Sequence, residues 1–154
     1  MENEKLSLDE KLQQLTSQQS LTRGIVVGLI AAIVAVAIWS AITYVLGDML
    51  MMLGVLGVGI SVGLGVRFGG KGIDLDFGIA GGIIALISIF IGDVLGVTIL
   101  MAREKGMSIF DVISLNGIDG IIQFSIEILD WGTIIFQCIF AFIVAYYTSV
   151  NRIK

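Results

Sequence analysis

The chain reads as an all-α integral membrane protein, and three observations predict it. Of 154 residues, 56% are hydrophobic and only 14% are charged, against about 25% charged in an ordinary soluble domain. Mean hydropathy is +1.00. Four stretches are long and apolar enough to cross a bilayer as helices of about 1.5 Å rise per residue. This composition excludes a disordered chain and an ordinary soluble enzyme.

Residues 1–23 form a polar, Gln/Ser-rich tail on the cytoplasmic side. Leu8, Leu12 and Leu15 mark one weak apolar stripe in it. Glu2, Glu4, Asp9 and Glu10 stand where a signal peptide would be basic, so the first apolar run is read as an uncleaved span. That span is 24–46, with Trp39 and Tyr44 in its second half. Gly47 and Asp48 turn the chain into a glycine-rich second span at 49–66. A polar turn, 67–77, leads to a third span at 78–101, interrupted by Asp93 alone. The fourth span is 131–148, with Trp131 at one interface and Tyr146 and Tyr147 at the other. A basic cytoplasmic end, 149–154, follows.

The connection 102–130 is too apolar for a free loop. Asp119, Gln123, Glu127 and Asp130 share one helical face, while Ile122, Phe124, Ile126 and Ile128 also alternate as in a strand. An unpaired strand edge is costly at a membrane, so an amphipathic interfacial helix is expected here. A shorter helix over 108–115 precedes it, ended at Asn116-Gly117.

Four spans place both termini on one side. Lys5, Lys11, Arg23, Arg67, Lys71, Arg152 and Lys154 then share that side, and Arg103 and Lys105 lie opposite. The positive-inside rule makes the first side cytoplasmic. The expected location is the inner membrane, with 102–130 on the outer face.

Small residues recur at a spacing of four. Gly24/Gly28, Gly59/Gly63, Gly78/Gly82 and Gly92/Gly96 allow helix backbones to approach closely. Their packing role is either within one bundle or between chains. Asp93 is the candidate for a proton or ion site, because a charge inside a bilayer is costly and marks function by default. Counted from Gly78 it falls in the outer third of its span, where an interface or a wet crevice would suit it equally. Arg67 and Lys71, with Gly69, Gly70 and Gly72, form a candidate backbone nest for an anionic lipid headgroup.

Other chemistry is sparse. Histidine is absent, which removes the commonest general base and metal ligand. Asp74 and Asp76 offer too few oxygens for a divalent cation and suit the start of the third helix instead. The lone Cys138 is read as a small apolar filler. No cofactor, metal, catalytic residue or nucleic-acid partner is expected; the bilayer is, with self-association or a second membrane protein. The leading expectation is a non-enzymatic scaffold or accessory subunit. The alternative is a small oligomeric ion channel or ion-coupled transporter using Asp93.

From Gly59 the sequence runs Gly-Ile-Ser-Val-Gly-Leu-Gly-Val-Arg-Phe-Gly-Gly-Lys-Gly, then Phe77-Gly78-Ile79-Ala80-Gly81. This resembles a multi-pass membrane module of uncharacterised bacterial inner-membrane proteins, of form G-x-x-V-G-x-x-V-R-x-x-G-K-G followed by F-G-x-x-G. The likeness covers about residues 57–149, including Phe110–Ser114 and Tyr146-Tyr147. It implies a bacterial source and a membrane module, and transfers no catalytic residue. Two departures are Asp93, where the module has a neutral polar residue, and a short tail in place of a soluble domain.

Overall fold

The computed structural model describes residues 19–46, 51–71 and 74–150. Its described residues hold five helices and no strand. They are α1 (Leu21–Leu46), α2 (Met51–Gly70), α3 (Leu75–Lys105), α4 (Ile109–Leu129) and α5 (Trp131–Ser149). All five are long and apolar enough to cross a membrane. The tail 1–18, the Gly47-Asp48 turn, Gly72 and the basic residues Arg152 and Lys154 lie outside the described residues.

Contacts between small residues set the helix directions. The Ser20 N–H donates to Gly70 O at 3.0 Å, and Trp39 packs on Gly54. So α1 and α2 are antiparallel. Ile84 approaches Gly28 and Val36 approaches Gly92, which makes α1 and α3 parallel. Gly78 faces Tyr146 and Gly82 faces Phe142. Therefore α5 runs back along α3. Gly59 faces Ala141, and Gly63 faces Ala145 and Thr148, so α5 also runs with α2. One end of the bundle thus gathers the start of α1, the end of α2, the start of α3 and the end of α5. The opposite end receives α4.

The main core is built of Ala32, Val36, Val55, Val58, Val62, Val66, Phe77, Ile84, Ala85, Ile89, Ala141 and Ala145. Valine and alanine dominate because larger side chains would push the backbones apart. A second cluster of Val97, Met101, Ala102, Val112, Leu129 and Ile134 joins α4 to the far part of α3 and the start of α5. Cys138 packs against both clusters.

Helix ends follow their local chemistry. The expected second span and its polar turn are redrawn: α2 continues through Arg67, Gly69 and Gly70, and the positive φ falls on Lys71 (53°). The extra turn persists because Gly69 and Gly70 lie against α1 and Phe77. Likewise α3 outruns 78–101 at both ends. It closes on Gly106 in the left-handed conformation, whose N–H reaches Ala102 and Arg103 carbonyls. Its last turn holds Arg103 and Lys105, cations that favour a helix C-terminus. Arg103 Nη1 also donates to Tyr44 O at 3.0 Å, satisfying a carbonyl that the end of α1 leaves open.

The segment 102–130 is helical rather than extended. Ser108 and Asp111 form a capping box. At Gly117 the backbone leaves helical geometry (φ 69°, ψ 163°), so α4 is two arms, before and after that residue. Val112 in the first arm and Leu129 at the end of the second join the same cluster. Asp111, Asp119, Gln123 and Glu127 are exposed, and Val112, Ile121, Ser125 and Leu129 are buried. Asp130 stands between α4 and α5, with φ 51°. Its carboxylate accepts from the Thr133 N–H at 3.0 Å and the Thr133 hydroxyl at 2.9 Å.

Two predictions follow from this packing. A Cβ on Gly63 would stand 2.8 Å from Ala145 O, whereas one on Gly57 meets nothing within 4 Å. Overpacking of this kind costs about 1–3 kcal/mol. Gly63→Ala therefore lowers the unfolding midpoint in mild detergent and Gly57→Ala does not; equal midpoints would contradict the packing. The Thr133 N–H, then its hydroxyl, hold the Asp130 pKa below 3.8. A depressed pKa stabilises the fold above about 3.8 and loses that effect as pH falls through the folded value. Thr133→Ala should raise the Asp130 midpoint measured by NMR in micelles; an unmoved midpoint would refute the assignment.

Candidate functional site

Asp93 sits on the buried side of α3. Ile89, one turn before it, belongs to the main core, and Val97, one turn after it, belongs to the second cluster. The carboxylate therefore lies at the junction of the two apolar clusters. It is 8% exposed, buried within the bundle. Twelve residues separate it from Lys105, about 18 Å along the helix. Its Oδ2 has no hydrogen-bond partner among the described residues.

Gln137 on α5 is the residue that sequence reasoning passed over. It is 3% exposed, and its Oε1 likewise lacks a partner. It shares the inward stripe of α5 with Ile134, Ala141 and Ala145. Its neighbour Cys138 packs against both apolar clusters, at whose junction Asp93 lies. The signal was available: Gln137 is the only amide side chain in the four expected spans. Two further orphan groups, Ser40 Oγ on α1 and the Gln19 amide, lie elsewhere along the chain.

Other buried hydroxyls are satisfied within their own helices. Ser88 donates to Ile84 O at 2.6 Å, Thr98 to Val94 O at 2.7 Å and Ser125 to Ile121 O at 2.8 Å. Such i−4 bonds neutralise a hydroxyl without linking helices. That contrast isolates Asp93 and Gln137, whose carbonyl-type oxygens accept and have no local donor. Space is left beside the acid: Gly96, one turn on, is buried, yet a Cβ there would meet nothing within 4 Å.

Most of the glycines singled out by spacing are occupied inside the chain. Gly24 and Gly28 face Val66, Gly59 and Gly63 face α5, and Gly78 and Gly82 face Tyr146 and Phe142. Gly92 is in ordinary contact with Val36 at 3.9 Å, and Gly96 is open. The expected nest is not assembled as drawn. Gly69 and Gly70 are helical, Gly72 is outside the described residues, and the ring of Phe68 lies 5.9 Å from the Arg67 guanidinium carbon. Asp74 caps α3 without a side-chain hydrogen bond, and Asp76 lies in its first turn.

A groove of about 380 Å³ runs between the parallel helices α1 and α3. Leu29, Ala32, Ile33, Val36 and Ala37 line one wall, and Ile84, Ile87, Ser88, Ile91 and Leu95 line the other. Ala32 and Ser88 are the small residues that leave it open. Among the described residues no group of three or more His, Cys, Asp or Glu is placed to hold a metal ion.

No family model matches the chain, and neither does any curated protein or solved structure.

Proposed function

We propose that the chain is a non-enzymatic scaffold or accessory subunit of a bacterial inner membrane, built on four crossings. The crossings are α1, α2, α3 and α5. The antiparallel run of α3 and α5 supports this count, because α4 begins and ends at one end of the bundle. The break at Gly117 and the exposed acids of α4 suit a bent, interfacial element on the outer face. Both termini are then cytoplasmic, on the side of Arg23, Arg67 and Lys71. On this reading Arg67 and Lys71, at the end of α2, would meet anionic headgroups there. The resemblance to the bacterial module supports the same assignment.

The groove between α1 and α3 carries the association reading. The glycine contacts of the bundle are largely satisfied within the chain, which leaves this apolar cleft as a surface for another helix. Its lining is long, free of charge and floored by small residues, as helix packing in lipid requires. The occupant is a transmembrane helix of a second copy or of another membrane protein.

A second reading, an ion channel or ion-coupled transporter, is favoured by the buried Asp93 and Gln137. An intramembrane acid on a bundle interior is a common mark of an ion path. Flux of protons or alkali ions into proteoliposomes, lost in Asp93→Asn, would support it; wild-type liposomes with no flux would remove it.

A photo-cross-linker placed at Ile33 or Ile87, both exposed groove residues, tests the association reading in native membranes. The expected product is a discrete cross-link to one membrane polypeptide, lost when Ala37→Trp fills the cleft. Adducts to lipid alone would overturn it.

A further inference from the structure

We propose that Asp93 and Gln137 form a buried proton-binding site between α3 and α5, with Asp93 held as a neutral carboxylic acid and Gln137 Oε1 as an acceptor of its O–H. Two independent facts carry this. Asp93 Oδ2 and Gln137 Oε1 are both buried acceptors without a donor. Gly96, beside the acid, leaves unfilled space: a Cβ there would meet nothing within 4 Å.

The chemistry follows from the count of donors. Two acceptor oxygens in an apolar interior are each costly until something donates to them. An ionised carboxylate adds the larger cost of an unpaired charge. A single proton on Asp93 removes the charge and supplies a donor. The space at Gly96 admits a water molecule or a small side-chain movement, through which the proton enters and leaves.

Among the described residues, the surroundings offer no competing charge. Residues 24–43 of α1 and 53–66 of α2 contain no titratable group. From α5, the inward residues near the acid are Ile134, Gln137 and Ala141, none of them ionisable, and Cys138 packs against both clusters. From α4, the inward residues are Val112, Ile121, Ser125 and Leu129, while Asp111, Asp119 and Glu127 are exposed. On α3 itself the nearest cation is Arg103, which is bonded to Tyr44 O. Among the described residues no basic side chain stands beside Asp93 to hold it as a carboxylate, so a proton takes that role. This inference holds whether or not the protein moves ions.

Infrared spectroscopy of the full chain reconstituted in liposomes tests it. Exposed carboxyls are ionised at pH 7, so a protonated-carboxyl C=O band there belongs to a buried acid. The expected result is such a band in the wild type, its loss in Asp93→Asn and a shift to higher frequency in Gln137→Leu. Absence of the band from wild type at pH 7 would overturn the proposal and needs no variant. So would its persistence in Asp93→Asn, an unmoved frequency in folded Gln137→Leu or Gln137→Met, or its removal by sodium at constant pH. The last outcome would make the site one for an alkali ion.

Discussion

Lipid gives helices no hydrophobic reason to associate, because acyl chains are as apolar as leucine. The structure depends on another force, the close approach of backbones at glycine. α2 is the clearest case. Gly65 and Gly69 bring it against Gly28, Val27 and the Arg23 carbonyl of α1, and Gly59 and Gly63 bring it against the Ala141 and Ala145 carbonyls of α5. One helix thus holds two neighbours on different faces through residues that have no side chain. The valine and alanine core fits between these contacts. The same constraint explains the depth of Trp39, whose ring fills the space over Gly54 rather than anchoring at an interface.

Close packing also determines where polarity can be tolerated. Ser88, Thr98 and Ser125 turn their hydroxyls onto the preceding helical turn and so cost little in the interior. Asp93 and Gln137 have no such local solution. They sit where the main core gives way to the smaller cluster under α4.

The positions of the helices could be read from the sequence wherever the pattern was long and apolar. The end of the third helix was misplaced because Arg103 and Lys105 look like loop residues, although cations stabilise a helix C-terminus. Arg67 to Gly70 looked like a turn because glycine permits one. Its tertiary contacts with α1 instead extend the helix, information that no local pattern contains. The break in α4 was legible at Asn116-Gly117, since glycine is the residue that accepts φ 69°. The choice of helix over strand before Asp130 came from the cost of an open edge near lipid. Asp93 was visible as a lone charge. Gln137 was passed over because an amide carries no charge, although it is the only amide side chain in the expected spans. The groove could not be read at all, since it depends on how α1 and α3 meet.

The central claim is that α4 leaves and rejoins the bundle at one end, which makes four crossings and places both termini together. Cysteine accessibility tests it most directly. Single cysteines are placed at Ser20, Asp111, Glu127 and Val150 in a chain carrying Cys138→Ala. They are labelled with a membrane-impermeant reagent in sealed vesicles of known orientation. The account predicts that positions 111 and 127 react from one side, and positions 20 and 150 from the other. Reaction of 111 and 127 from opposite sides would make α4 a fifth crossing and contradict it.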